Sequence, residues 1–302
     1  MIFEMTFMYS VSELVKQSKT SGEAAMVLSH NRLYGIGCKP DRRAAFNAVR
    51  LAARHGHADG RRAYVYMTAA GIGTKPNHGA AMAMLRDLAK EDRFAAVQLS
   101  LLEQIEREAS PVETAPKILS SDPYIALYHG FFSPTECKYL AMVAAPWLEA
   151  GRVAENGGFQ VELIRDADAS AISHLTEDMI TQRINARIAA ATETKIAWGE
   201  PLNVLRYKPG QQFRPHHDGR SSDGATRIMT ALAWLNEQFE GGETDFPALG
   251  IRVRGGVGDM LVFRNVLPDG RQDDRVVHAG LPVTEGVKWM ASRWIRGEDF
   301  LD

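Results

Sequence analysis

Beyond residue 202 the apolar residues come in short runs broken by polar, glycine-containing turns, the rhythm of β-strands rather than helices. Runs at 203–207, 212–217, 227–235, 251–254, 259–265, 276–281 and 288–296 predict strands. Pro209-Gly210, Gly241-Gly242, Gly255-Gly256, Asp269-Gly270 and Glu285-Gly286 separate them. Many short strands at such spacing predict a double-sheet jelly roll. Upstream, 134–149 and 168–192 predict helices, the first with Ser133 as N-cap and Pro134 in its first position.

The first hundred residues follow another rhythm. They are rich in Ala, Arg and Met, poor in β-branched runs, and they repeat. Gly35-Ile36-Gly37-Cys38-Lys39-Pro40-Asp41 returns 36 residues later as Gly71-Ile72-Gly73-Thr74-Lys75-Pro76-Asn77, and Ala44-Ala45 returns as Ala80-Ala81. A period in the thirties signals helix pairs stacked as an α-solenoid. Within the motif a glycine ends one helix in the left-handed conformation, the proline blocks continuation, and Asp41 or Asn77 caps the next helix. Residues 109–122 hold two prolines and several Ser and Thr, and read as a linker. The expected architecture is an all-α helical-repeat domain over 1–108, that linker, and an α+β domain over 123–302, its jelly-roll core at 201–298 carrying supporting helices.

Composition mainly excludes. Among 302 residues, 45% are hydrophobic and 24% charged, which is globular rather than disordered. Lys plus Arg total 35 and Asp plus Glu 37, a net charge of −2, so no nucleic-acid or membrane partner is expected. Cys38 and Cys137 stand alone, without a disulfide framework or a C-x-x-C site, and read as small buried apolar residues. The N-terminus carries Glu4 early and lacks a basic stretch and a small-residue cleavage site, so no secretory signal is expected. No apolar run approaches the roughly 18–20 residues of a membrane span. A soluble protein in a reducing cytoplasm is the expectation.

The motif that changes the picture most is Phe213-Arg214-Pro215-His216-His217-Asp218. On a strand, side chains at i and i+2 share a face. His216 and Asp218 can therefore reach one ion while His217 points away. His278, in Val276-Val277-His278-Ala279-Gly280, is the candidate third ligand. Two His and one carboxylate on one face form the ligand set of non-haem Fe(II) oxygenases, with positions left open for cosubstrate and oxygen. An H-x-D triplet alone is weak evidence, since His57-Ala58-Asp59 is another. No third ligand or basic partner follows that copy, and it reads as a polar turn between helices. His30, His55, His78, His129 and His174 read as surface or cap residues. What strengthens the second triplet is Lys288, ten residues after His278, across a turn at Glu285-Gly286. A buried lysine there needs an anionic partner, and the distal carboxylate of 2-oxoglutarate would provide one.

Residues from about 120 to 302 resemble the catalytic domain of the prolyl 4-hydroxylases, within the 2-oxoglutarate/Fe(II) dioxygenases. The resemblance runs in order through Phe131-Phe132-Ser133, Val204-Leu205-Arg206-Tyr207, Pro215-His216-His217-Asp218 and Arg227-Ile228-Met229-Thr230. It continues through Gly241-Gly242-Glu243-Thr244-Asp245-Phe246-Pro247, Gly258-Asp259-Met260-Leu261-Val262-Phe263, His278-Ala279-Gly280-Leu281-Pro282-Val283, and Gly286-Val287-Lys288-Trp289 to Trp294. It implies Fe(II) on His216, Asp218 and His278. It implies 2-oxoglutarate with its C5 carboxylate on Lys288, helped by the Tyr207 and Thr244 hydroxyls, with Trp294 lining the same pocket. The implied reaction uses O2 and couples oxidative decarboxylation of 2-oxoglutarate, to succinate and CO2, to hydroxylation of an unactivated C–H bond. By default that bond belongs to a prolyl residue in a protein or peptide, with ascorbate as a reductant the family accepts. Arg165, Glu200 and Arg227 match positions that face the peptide in relatives, and they read equally well as structural ion pairs. Residues 20–108 resemble the Sel1-like repeats, relatives of the tetratricopeptide repeats, which implies recruitment of a protein substrate.

Three positions depart from the family pattern. Arg165-Asp166-Ala167 stands where relatives commonly have Arg-Thr-Ser, Trp234 where they have Tyr, and Arg296 where they often have His. The first and last bear on prolyl-peptide specificity; Trp234 is either an indole N–H donor or core. Two alternatives therefore stay open: a small-molecule, amino-acid-type hydroxylase of the same cofactor class, and a non-catalytic helical-repeat binding protein on a silent jelly roll. Residues 219–226 and 267–275 are polar and glycine-containing, and read as loops flanking the site. Gly255-Gly256-Val257-Gly258 precedes a strand and so is no dinucleotide fingerprint.

Overall fold

The computed structural model describes residues 9–107, 115–150, 153–154, 163–221 and 223–301. Contacts divide the chain into two compact units: Met1–Glu108 with Ser173–Arg183 and Leu301–Asp302, and Ala109–Ile172 with Ile184–Phe300.

The first unit is helical. Helices α1 (Val11–Gln17), α2 (Gly22–Tyr34), α3 (Arg42–Arg54), α4 (Ala58–Ala70), α5 (His78–Leu88) and α6 (Arg93–Arg107) each pack on the next. Small buried side chains, Ala25, Ala45, Ala52 and Ala63, bring the helices together around Val49 and Met67. Both copies of the repeated motif build the same turn. Gly35 ends α2 at φ 72° and Gly71 ends α4 at φ 76°, each left-handed. Asp41 accepts from the Ala44 N–H at 2.8 Å and Asn77 from the Ala80 N–H at 2.9 Å, each capping the following helix. His57 and Asp59 bind nothing together: His57 caps α4 through the Gly60 N–H and pairs with Glu23 at 2.8 Å. Within this unit the Tyr34 hydroxyl accepts from the His174 N–H, and the Gln182 amide donates to the Tyr66 carbonyl.

The two copies differ in how tightly they are packed, which makes a test. Gly37 and Gly73 both have positive φ, 67° and 70°. A Cβ on Gly37 meets only Val11 at 3.8 Å, whereas one on Gly73 would collide with the Arg42 carbonyl and the Phe46 side chain. Gly37→Ala should cost about 1 kcal/mol from the backbone conformation. Gly73→Ala should cost about 1–3 kcal/mol more. Equal melting temperatures for the two variants would contradict this packing.

The second unit is built on antiparallel sheets with supporting helices. In chain order it contains β1 (Lys117–Ser121), β2 (Tyr124–Tyr128), α7 (Pro134–Ala144), β3 (Glu149–Ala150), β4 (Val153–Ala154), β5 (Leu163–Arg165) and β6 (Asp168–Ile172). Helix α8 (Met179–Ala191) follows, its residues from Ile184 onward belonging to this unit. Then come β7 (Leu202–Tyr207), β8 (Phe213–His216), β9 (Arg227–Trp234), β10 (Phe239–Gly241), β11 (Thr244–Phe246), β12 (Ile251–Val253), β13 (Met260–Arg264), β14 (His278–Gly280), β15 (Val283–Gly286) and β16 (Lys288–Arg296). An eight-stranded sheet runs β1-β2-β13-β9-β16-β7-β6-β3, a six-stranded sheet runs β12-β11-β14-β8-β5-β4, and β10 pairs with β15. One apolar core draws on both large sheets: Leu205, Tyr207, Trp234, Leu261, Phe263 and Met290 from the first, Phe246 and Val253 from the second. Helix α7 packs on β6 and β7. It starts with a capping box between Ser133 and Glu136, and the fully buried Glu136 pairs with Arg187 of α8 at 2.6 Å.

Several predicted elements change. The helix expected over 134–149 stops at Ala144, because Pro146 lacks a donor and disfavours the helical conformation before it; Glu149–Ala150 is instead strand β3. The helix expected over 168–192 begins only at Met179. Its first part is β6, which pairs residue by residue with β7 and so has its conformation set by a partner distant in sequence. Part of the expected linker, Lys117–Ser121, is strand β1, while 109–114 lie outside the described residues. Val276 closes a 3-10 turn before the strand at His278.

Candidate active site

His216 closes β8, and its register partner across the sheet is His278 on β14. Asp218 lies two residues past the strand end, yet its carboxylate turns back between the two imidazoles. Oδ1 is 3.5 Å from His216 Nε2 and Oδ2 is 3.7 Å from His278 Nε2. One ligand atom from each residue lies within 4.8 Å of the others. A first-row divalent ion such as zinc binds nitrogen and carboxylate oxygen at about 2.0–2.2 Å. Three atoms this close, all facing one point, fit such an ion. His217 turns away, with Nε2 donating to the Asp273 carbonyl at 3.1 Å.

Both imidazoles are fixed from behind. His216 Nδ1 donates to the Arg214 carbonyl at 2.8 Å and His278 Nδ1 to the Val276 carbonyl at 3.1 Å. Each Nε2 is thereby left as the unprotonated nitrogen, the atom a metal takes. Phe213 stacks on His216 with centroids 3.4 Å apart, and Phe263 meets the His278 ring edge-on at 4.8 Å. Burial, then the neighbouring His216, pushes His278 down to about 4, so it is neutral at pH 7. Burial opposes ionisation of Asp218, but the side-chain contact with His216, the proximity of His278 and the Thr230 hydroxyl outweigh it and hold the acid well below the usual carboxylate range.

Lys288 opens β16 directly across from Tyr207 of β7. It is 2% exposed, donates to the Gly242 carbonyl, and burial pushes its pKa down to about 7, opposed only by Glu243. Burial likewise pushes the Tyr207 phenol up to about 12. A lysine in so apolar a place is short of an anion. His216, Asp218, His278, Lys288, Tyr207, Thr244 and Trp294 all line one pocket that is partly open to solvent. The alternating residues Lys288, Met290, Ser292 and Trp294 of β16 make one wall of it. Two buried polar atoms on this wall, Ser292 Oγ and Trp294 Nε1, have no protein partner. The pocket therefore offers an ammonium and unpaired donors to an anionic ligand next to a potential metal site, a fit for 2-oxoglutarate.

The residues read as peptide-facing do not line this pocket. Glu200 is held by two arginines: Arg227 grips it bidentately at 2.8 and 2.7 Å, and Arg296 donates to it at 2.9 Å. Arg296 also reaches Asp223 at 2.9 Å. Arg227 lies over the Trp294 ring at 4.2 Å and Arg165 over Phe213 at 5.6 Å, so both guanidiniums back aromatic walls of the pocket. Burial lowers the Arg165 pKa. Removing one member of a buried ion pair typically costs about 3–5 kcal/mol. Glu200→Ala, which leaves two arginines facing each other, should lose stability of that order in chemical denaturation; a loss near zero would mean that the network is solvated. Trp234 is fully buried core, its ring lying against Gly255, and it is not on the pocket wall.

Sequence reading missed four side chains around the site. Thr230 donates to Asp218 Oδ2 at 2.9 Å, and Asn265 donates to Thr230 at 2.9 Å. Phe213 and Ser292 line the pocket. Ser292 was within reach of a period-2 count from Lys288, whereas Phe213 lies three residues before His216 and falls on the other face by that count, and Thr230 and Asn265 meet Asp218 only through sheet pairing.

Residues 202–296 match the sequence model of the 2OG-Fe(II) oxygenase superfamily, which sets the class. Over 202 residues the chain is 34% identical to Prolyl 4-hydroxylase 1 of Arabidopsis thaliana, covering 60% of this chain and 71% of that protein. It is 28% identical over 260 residues to Probable prolyl 4-hydroxylase 10 of the same plant, covering 78% and 88%. The crystal structure of a viral collagen prolyl hydroxylase from Paramecium Bursaria Chlorella virus-1, a 2OG complex, aligns with a TM-score of 0.45 at 27% identity, covering 58% of this chain and 96% of that one. The chain belongs to the prolyl 4-hydroxylase family of 2OG-Fe(II) oxygenases. It is a dioxygenase that uses Fe(II) and 2-oxoglutarate.

Proposed function

We propose that this enzyme hydroxylates a prolyl residue of a protein or peptide, with His216, Asp218 and His278 holding Fe(II) and Lys288 holding the C5 carboxylate of 2-oxoglutarate. The observation that carries this reading is the convergence of the three ligand side chains in the same pocket as a buried lysine. Tyr207 and Thr244 supply hydroxyls beside Lys288, and Trp294 closes the wall. O2 is the oxidant: with Fe(II) held by the triad, oxidative decarboxylation of 2-oxoglutarate to succinate and CO2 would supply two electrons and the substrate C–H bond the other two, one oxygen atom going to each product. The chain's own part is to hold both imidazoles in one tautomer, to keep Asp218 ionised, and to seat the cosubstrate away from bulk water.

The catalytic unit is in this reading a double-stranded β-helix, or jelly roll, supported by its two large antiparallel sheets around one apolar core. The helical unit is a Sel1-like array that recruits the protein substrate; its support is the repeated Gly-Ile-Gly-x-Lys-Pro turn and the matching caps at Asp41 and Asn77. Among the described residues no helix is long and apolar enough to cross a membrane. Cys38 and Cys137 are both free, which suits a reducing cytoplasm with ascorbate or another reductant keeping the iron ferrous. A second reading, a small-molecule substrate, is favoured by one observation: Glu200 is engaged by both Arg227 and Arg296, rather than free for a peptide. The deciding assay measures succinate formation with Fe(II), 2-oxoglutarate and either proline-rich peptides or free amino acids. Peptide-stimulated turnover with a mass gain of about 16, one oxygen atom, supports the first reading. Stimulation by free amino acids alone would replace it with the second.

A further inference from the structure

Asp218 is not held by its own strand. Its Oδ2 accepts from the hydroxyl of Thr230 on β9, in the other large sheet, at 2.9 Å. The same hydroxyl oxygen accepts from the side-chain amide of Asn265, just past β13, at 2.9 Å. Asp218 is 5% exposed, and Thr230 and Asn265 are fully buried. The direction of this chain is forced. A carboxylate only accepts, so Thr230 commits its single proton to Asp218 and can receive only a donor. Asn265 must therefore present its nitrogen, and its Oδ1 is left buried without a partner. An orphaned buried acceptor is unfavourable, and an apolar side chain of similar volume would avoid it.

The backbone of Asn265 reaches the other side of the site. Its N–H donates to the Ile228 carbonyl at 2.8 Å, and its carbonyl accepts from the Asp273 N–H at 3.0 Å. The Asp273 carbonyl accepts from the Val276 N–H at 3.0 Å, and the Val276 carbonyl fixes His278 Nδ1. One residue thus ties together the segments that carry Asp218 and His278.

We propose that Thr230 and Asn265 are positioning residues of the metal site, the Asn265–Thr230 chain loading Asp218 Oδ2 so that Oδ1, facing His216 Nε2, is the oxygen presented to the metal. This rests on the reading of His216, Asp218 and His278 as metal ligands. Bound through one oxygen only, the carboxylate would leave room on the metal for cosubstrate. Neither residue touches substrate in this scheme; both act through Asp218.

The test titrates the full-length, metal-free chain with Mn(II) by calorimetry, and with Co(II) by absorption spectroscopy, so that no turnover is needed. Thr230→Val keeps the shape and removes the hydroxyl, Thr230→Ser keeps the hydroxyl, and Asn265→Leu removes the amide. Loss of such supporting groups typically weakens metal binding about 10–100-fold. Thr230→Val and Asn265→Leu should show that loss of Mn(II) affinity while the metal-free melting temperature of Asn265→Leu holds or rises. Thr230→Ser should bind as wild type does. The Co(II) spectrum should change in Thr230→Val, as the carboxylate relaxes onto two oxygens, and not in Thr230→Ser. Wild-type Mn(II) affinity in both Thr230→Val and Asn265→Leu would overturn the proposal even though the triad reading survived. Should His216→Ala bind Mn(II) as tightly as wild type, the triad reading itself fails and takes the proposal with it.

Discussion

Replacing His216 with alanine will abolish succinate formation by the full-length chain. The residue supplies one of three converging donor atoms, and its Nε2 is kept free by the hydrogen bond from Nδ1 to the Arg214 carbonyl. Metal-ion catalysis contributes several kcal/mol of charge stabilisation, so removing a ligand should lower turnover by at least about 10³-fold. The fold should survive, because the apolar core lies among Trp234, Phe246, Phe263 and their neighbours rather than at this imidazole. Far-ultraviolet circular dichroism and the succinate assay together make the measurement. A variant that is folded, loses its metal and still forms succinate would show that the catalytic metal sits elsewhere.

The second large effect is at Lys288. Lys288→Met keeps the length of the side chain and removes the charge. Breaking a buried charge pair at a binding site costs about 2–5 kcal/mol, so KM for 2-oxoglutarate should rise between about 30-fold and several thousandfold, while Mn(II) affinity changes little. Stability should move the other way. Burial depresses the folded pKa of Lys288 to about 7, against an unfolded value near about 10.4. Between those values the unfolded chain holds the proton and the folded chain has lost it, so the cosubstrate-free protein gains stability as pH rises from about 7 to about 10. Below about pH 7 both states are protonated, and the full penalty of burying the ammonium, on the order of 4 kcal/mol, is present. Lys288→Met removes both the penalty and this part of the pH slope. Denaturation of wild type and variant at pH 7 and pH 9.5 decides: parallel curves would mean that Lys288 is solvated rather than buried.

The site was legible in the sequence to the extent that its logic is local. His216 and Asp218 are two residues apart; the turn at Glu285-Gly286, by contrast, does not lay the strands of His278 and Lys288 side by side, because β14 belongs to the six-stranded sheet and β16 to the eight-stranded one, where Lys288 pairs with Tyr207. The helical turns were legible for the same reason, since glycine, proline and a capping residue act within a few positions. One boundary failed for a local reason, Pro146 ending the helix at Ala144, and another because a partner sets it. Asp168–Ile172 became a strand because Leu202–Tyr207 lies beside it. Arg165, Glu200 and Arg227, read with equal weight as groove positions or as structural ion pairs, make ion-pair and cation–π contacts.

The sequence by itself determined which side chains can bind a metal and which cation can meet a carboxylate, because donor chemistry and period-2 alternation are properties of the chain. The tertiary structure alone decided that His278 stands opposite His216, that Lys288 is desolvated, and that Asp218 is steered by Thr230 and Asn265. Those outcomes depend on strand register across residues far apart in the chain. A one-residue slip in that register would turn each of these side chains to the other face of its sheet, and which distant strands pair is decided only when the chain packs.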